Sequence, residues 1–263
     1  MNRLTNRMNE NKQAGRKSLV CFLTAGDPSL DDTYQLVLAA ERAGCDTIEL
    51  GIPFSDPMAD GPVIQAANSR ALANGVSLHD VLALVACIRQ ESQLPVVIMT
   101  YLNPVMSYGI ETFAADAEKA GVDGVILVDV PLGEAEEGLR ALNTHNICPV
   151  MLAAPTSTDE RLEGICQQAK GFLYAVARMG VTGAYTDAPP ELPLLMERIR
   201  KHTDMPVMAG FGISNPELAK SVAVYTDGVI VGSALVTAIA KATDRVGAAT
   251  EFITAMRSAL DEV

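Results

Sequence analysis

Eight short apolar runs punctuate the chain: Ser18–Ala25, Thr47–Ile52, Pro95–Tyr101, Gly124–Val130, Cys148–Ala154, Phe172–Arg178, Pro206–Gly212 and Gly228–Val231. They are continuous rather than alternating, as expected of strands buried on both faces. Between them lie segments with helical spacing of apolar positions, among them Asp31–Gly44, Leu78–Gln90, Ile110–Gly121, Ser157–Lys170, Glu191–His202 and Asn215–Tyr225. Strands alternating with amphipathic helices indicate a parallel sheet covered by helices. Eight such units in a chain of 263 residues predict an α/β fold closed into a single (β/α)8 TIM barrel, one domain spanning 1–263.

The punctuation agrees. Gly44–Cys45–Asp46, Gly121–Val122–Asp123 and Thr226–Asp227–Gly228 precede strands and read as helix C-caps and αβ turns. The wide gap between the second and third strands leaves room for an extra helix at Pro62–Asn74. Leu4–Ala14 and Gly247–Val263 are further helices outside the eight repeats. A doubly wound open sheet would carry a glycine-rich turn after its first strand, and Thr24–Ala25–Gly26–Asp27–Pro28 is not one.

Composition narrows the function classes. Apolar residues make up 49% of the chain, enough to bury a large core, and the net charge of −12 argues against nucleic-acid or anionic-membrane surfaces. Ser92–Ile110, the longest uncharged stretch, holds two prolines and an asparagine and makes a poor membrane helix. The N-terminus lacks the apolar core of a signal peptide. Five cysteines without paired spacing read as reduced core thiols of a cytoplasmic protein.

In a barrel of this kind the chemistry sits at the C-terminal ends of the strands. Glu49 lies among apolar neighbours in the second strand, facing either the barrel interior or a covering helix. It is either a carboxylate satisfied by a buried arginine or backbone N–H groups, or a general acid/base tuned toward neutrality. The following loop, Pro53–Pro62, holds three prolines (Pro53, Pro57 and Pro62) together with Asp56 and Asp60, and is stiff. On pattern alone Asp56 starts a turn and Asp60 caps a helix beginning near Pro62. Asp129, at the end of the fourth strand, is a third inward candidate acid.

Three glycine-rich exits follow: Arg178–Ala184, Gly210–Ser214 and Val231–Ala234. On consecutive strands they match a phosphate cradle, with Ser233 donating from a helix start; tight packing is the competing role for the glycines. His79, His145 and His202 lie away from strand ends, which removes histidine–metal centres and Ser-His-Asp triads, and lysines avoid strand interiors, which removes a Schiff-base nucleophile. Proton transfer by carboxylates on a small phosphorylated substrate remains.

The stretch from Glu49 to Pro62, ELGIPFSDPMADGP, closely resembles the signature of the tryptophan synthase alpha subunit. The resemblance extends through Asn103–Pro104, Val128–Pro131, Gly180–Gly183, Gly210–Ser214 and Gly232–Ser233 to essentially the whole chain. It implies retro-aldol cleavage of indole-3-glycerol phosphate, with Glu49 shuttling protons and Asp60 accepting the indole N–H. It further implies that Phe22, Ile64, Tyr101, Asp129 and Tyr174 line or border the indole site, and that Gly183, Phe211, Gly212, Gly232 and Ser233 hold the phosphate. By the same resemblance, a lid from Arg178 to about Pro190 brings Thr182 to Asp60. The family works as an α2β2 complex with a beta subunit that carries pyridoxal phosphate; no cofactor or metal site is expected in this chain. The loops Pro53–Pro62 and Asn103–Ser107 resemble the beta-contacting surface. Ala177 and Met179, and the lid stretch Ala184–Asp187, depart from the commoner pattern. A stand-alone lyase and a non-catalytic activating partner are the alternatives, the latter disfavoured by retention of Glu49 and Asp60.

Overall fold

The structure, a computed structural model, describes residues 2–134, 136–176, 187–210 and 212–263. Among these residues there are nine strands: β1 Ser18–Thr24, β2 Thr47–Gly51, β3 Val96–Thr100, β4 Gly124–Leu127, β5 Cys148–Pro149, β6 Met151–Ala153, β7 Leu173–Val176, β8 Val207–Gly210 and β9 Gly228–Val231. All recorded pairings are parallel, in the order β5-β4-β3-β2-β1-β9-β8-β7-β6. The two ends of that order are consecutive in the chain. Val150 separates them, and its N–H donates to the Val125 carbonyl at 3.0 Å. β5 and β6 are thus one strand, paired with β4 first and β7 afterwards, and this closes the sheet into the expected eight-stranded barrel.

Twelve α-helices accompany the strands among the described residues: α1 Arg3–Gln13, α2 Leu30–Arg42, α3 Pro62–Ala73, α4 Leu78–Ile88, α5 Leu102–Tyr108, α6 Ile110–Ala120, α7 Glu136–Thr144, α8 Asp159–Gln168, α9 Glu191–Arg200, α10 Pro216–Ala223, α11 Ser233–Lys241 and α12 Arg245–Leu260. The three extra helices expected from sequence are α1, α3 and α12. The segment Asn103–Ser107, expected as a loop, is instead the body of α5. Pro104 sits in its first turn, where a missing N–H breaks no intrahelical bond. The fourth strand ends at Leu127, three residues short of its expected end, because Asp129 leaves the sheet. No single helix among the described residues is long and apolar enough to cross a membrane. All five cysteines are free; Cys87 is exposed and the other four are buried.

The two ends of the barrel are built differently. At the N-terminal end, α1 forms a plug, with Leu4 and Met8 packed against interior residues such as Val20, Ile126 and Phe172. Around it, three aspartates tie neighbouring strands together. Asp46 accepts the N–H of Leu19 at 2.9 Å, Asp123 that of Val96 at 2.9 Å and Asp227 that of Val207 at 2.8 Å. Each also pairs with an arginine: Asp46 with Arg257, Asp123 with Arg89 and Asp227 with Arg200. The bonds satisfy strand-start N–H groups that have no ladder partner, and the arginines compensate the carboxylates, of which those of Asp46 and Asp123 are buried. The C-terminal end carries the longer loops and the open cavity.

Candidate active site

Register settles which way Glu49 points. It lies opposite Phe22 of β1 and Val97 of β3. Val97 belongs to the barrel-interior cluster and Phe22 to the apolar floor under α3 and α11, so the Glu49 side chain faces inward. It is 1% exposed, and its Oε1 has no hydrogen-bond partner among the described residues. Neither a buried arginine nor the backbone satisfies that oxygen. Burial pushes its pKa up to about 8, where the group can both give and take a proton near neutral pH.

Glu49 opens onto a cavity of about 390 Å³ at the C-terminal end of the barrel. Asp60, Ile64, Phe22 and Tyr174 line it, and Gly212, Gly232 and Ser233 form its far side. Two glycines make room for the aromatic walls: a Cβ on Gly210 would lie 2.2 Å from the Tyr174 hydroxyl, and one on Gly51 would lie 2.6 Å from the Phe22 ring. Burial raises the Tyr174 hydroxyl well above its ordinary range, and the Glu49 charge adds to the effect.

Asp60 stands on the loop between β2 and α3. Its expected role as helix cap is not what the structure shows. Gly61 occupies the N-cap of α3 without a side-chain bond, Pro62 begins the helix, and the Asp60 carboxylate turns instead toward Asn68, whose Nδ2 donates to Oδ2 at 3.1 Å. Asp60 is half-buried; desolvation raises its pKa, against the opposing hydrogen bonds from Asn68 and Tyr101. Asp56 is exposed, and its carbonyl accepts the N–H of Met58 in a tight turn.

Two of the expected substrate-site residues lie behind the cavity rather than on it. The Tyr101 hydroxyl accepts the N–H of Ala59 at 3.0 Å and faces Asp60; burial and the Asp60 charge push it up to about 12. Asp129 accepts the N–H of Leu102 at 2.9 Å, at the start of α5. Tyr101 therefore fixes the Asp60 loop, and Asp129 fixes the chain that carries Tyr101. Thr182, Gly183 and Phe211 lie outside the described residues, as does most of the expected lid.

The far side of the cavity is built from backbone. α11 starts at Ser233 with Gly232 as its N-cap, and no side chain caps it. Its first N–H groups therefore have no intrahelical acceptor, and Gly212, at φ +89°, brings a second stretch of main chain alongside. A helix N-terminus of this kind is suited to an anion. No lysine, arginine or histidine lines the cavity among the described residues. The sequence reading missed Met99, Thr237 and Phe252 in the lining. Met99 follows the inward Val97 by two positions, so strand periodicity would have found it.

The fold and the cavity define a (β/α)8-barrel protein with a pocket at the carboxyl ends of its strands, lined by a buried acid and by an uncapped helix N-terminus. The family model for the tryptophan synthase alpha chain matches residues 8–262. The chain is 46% identical to the tryptophan synthase alpha chain of Caldanaerobacter subterraneus, with 99% of this chain and 100% of that one covered. With the alpha chain of Alkalilimnicola ehrlichii it shares 49% identity, over 99% and 97% of the two chains. The crystal structure of tryptophan synthase subunit alpha from Legionella pneumophila superposes with a TM-score of 0.93 at 40% identity, covering both chains fully. A chain of Mycobacterium tuberculosis tryptophan synthase gives 0.91 at 36% identity, over 98% of each chain. The chain belongs to the tryptophan synthase alpha chain family, whose members are catalytic subunits in tryptophan biosynthesis.

Proposed function

We propose that the chain cleaves indole-3-glycerol phosphate to indole and glyceraldehyde 3-phosphate while assembled with a beta subunit as an α2β2 complex. The observation that carries this reading is Glu49: an inward, buried carboxyl with an unpartnered oxygen, held near neutrality, in one cavity with Asp60 and a backbone anion site. Carbon–carbon cleavage needs a proton on indole C3, which turns the ring into an electron sink. It also needs removal of the proton from the hydroxyl beside the breaking bond. Glu49 delivers the first proton. The carboxylate this leaves on Glu49 takes up the hydroxyl proton; the O–H bond pair becomes the second bond of the aldehyde carbonyl, and the pair of the broken carbon–carbon bond restores the aromatic indole. Asp60 accepts the indole N–H and stabilises the cationic intermediate. The two acids suit these separate roles because one is deeply buried and the other, on a loop, is hydrogen-bonded and partly solvated.

The phosphate sits at the start of α11, against Gly212, Gly232 and Ser233; the family resemblance adds Gly183 and Phe211 to the phosphate-binding residues and Thr182 to the substrate-binding ones, all three outside the described residues. The beta partner docks on the loop Pro53–Pro62 and on α5. Supporting this, Met58 in the loop is 84% exposed and Met106 in α5 is 61% exposed, costly positions for large apolar side chains unless they are covered.

Indole release from indole-3-glycerol phosphate tests the reading, measured with the purified chain alone, with a bacterial beta subunit, and with Glu49→Gln. The expected result is weak activity alone, a large rise with beta and a loss of at least ~100-fold in the variant. Fast activity that beta leaves unchanged would point to a stand-alone lyase. No activity in either condition, with beta still stimulated in its own reaction, would leave an activating partner only.

A further inference from the structure

We propose that Asn68 is a positioning residue of this site: its side-chain amide holds Oδ2 of the Asp60 carboxylate and so sets the rotation in which that carboxylate, ionised, meets the indole N–H. The proposal rests on the reading of Asp60 given above and deepens it.

Asn68 lies on the buried stripe of α3, together with Ile64, Ala67 and Ala71, and is itself 3% exposed. Packing alone would be served by an apolar residue there, since a carboxamide in the interior costs free energy unless its donors and acceptor are used. The amide is spent on Asp60, with Nδ2 donating to Oδ2 at 3.1 Å. Other contacts fix the main chain around it. Gln65 Nε2 donates to the Asp60 carbonyl at 2.8 Å, and the Gln65 N–H donates to the Gly61 carbonyl at 3.0 Å. On the opposite side Tyr101 receives the Ala59 N–H. The loop is thus clamped from two elements, while Asn68 acts on the carboxylate itself and sets its rotation.

The electrostatic surroundings make this contact consequential. Glu49 from β2 shares the cavity, and Tyr101, itself under the influence of Asp129, faces Asp60 from the end of β3. No cationic side chain lines the cavity among the described residues. The charge on Asp60 is therefore compensated by neutral donors, the Asn68 amide and the Tyr101 hydroxyl. A hydrogen bond to the ionised form favours that form, so Asn68 keeps Asp60 an acceptor although burial and a bound phosphate both oppose its charge.

The test compares Asn68→Ala, the near-isosteric Asn68→Asp and, as reference, Asp60→Asn, each assembled with a bacterial beta subunit. kcat and KM for indole release are measured separately from about pH 5.5 to 9, and folding is checked by circular dichroism. Asn68→Ala is expected to lower kcat about tenfold with KM changed less than about twofold, and to move the acid limb of kcat/KM up by about one pH unit. Asn68→Asp keeps the shape and places two carboxyls side by side, so it moves that limb further, because the pair retains a proton. A purely structural residue would leave the limb in place. Folded variants with an unmoved acid limb, or with the whole loss in KM, would overturn the proposal while Asp60→Asn remains inactive. If Asp60→Asn instead turns over like the unmodified chain, the role of Asp60 fails first and the proposal falls with it.

Discussion

In the unfolded chain Glu49 ionises near the ordinary glutamate value of 4.5, whereas in the folded barrel burial pushes it up to about 8. Between those values the folded protein holds a proton that the unfolded chain has released. The sign follows directly: the native state binds more protons, so stability falls as pH rises from about 4.5 to 8 and levels off above. Between pH 5 and pH 8.5 the loss from this one group is on the order of 4 kcal/mol, from ~1.4 kcal/mol per unit of pKa difference. Glutamine has nearly the same shape and no proton to lose. Glu49→Gln is therefore expected to lower indole release at least ~100-fold and yet be the more stable protein at alkaline pH, with the two nearly equal at pH 5. Urea unfolding followed by the near-ultraviolet signal of the six tyrosines, in a chain without tryptophan, reads this out. At pH 8.5 the variant's midpoint should lie above that of the unmodified chain by on the order of 1 M urea. Midpoints that differ by the same amount at every pH would refute the reasoning, because the difference would then not come from ionisation.

Gly210→Ala places a Cβ 2.2 Å from the Tyr174 hydroxyl, so it is expected to displace that ring and cut activity well before it unfolds the barrel. A second, shortening change, Tyr174→Leu, should return part of the loss, and a double-mutant cycle on kcat/KM measures the coupling. At the other end of the barrel, Asp123→Ala leaves Arg89 and the Val96 N–H without their carboxylate. It should cost about 3–5 kcal/mol in urea unfolding while kcat of the folded enzyme is unchanged.

Much of this architecture is legible in the residues, for reasons that differ from element to element. The strands announce themselves because both faces are buried, and Gly-x-Asp before β2 and β4 marks their starts because Asp46 and Asp123 each bond a neighbouring strand. α5 is hidden by Pro104, which reads as a loop residue unless it is known to fall in a first turn. Asp60 reads as a cap because Asp-Gly-Pro offers two candidates for one position, and only the backbone shows that Gly61 takes it. Glu49 could face either way until the register opposite Phe22 and Val97 is known. Asn68 gives no signal at all: a lone amide in a helix looks like a solvated face, and its meaning depends on a loop eight residues earlier folding back over it.

A cavity that holds two carboxyls and no cation among its described residues also has a view on when it should be filled. A phosphate dianion entering it meets Glu49 either neutral or charged, and the neutral form is the better host. By linkage the preference is mutual: occupancy by the dianion must raise the affinity of Glu49 for its proton by the same factor. Substrate binding then takes up a proton from solvent whenever the empty protein has released it. On the proposed reading, substrate thus loads the acid that protonates it, and departure of the phosphorylated product lets that acid release its proton again.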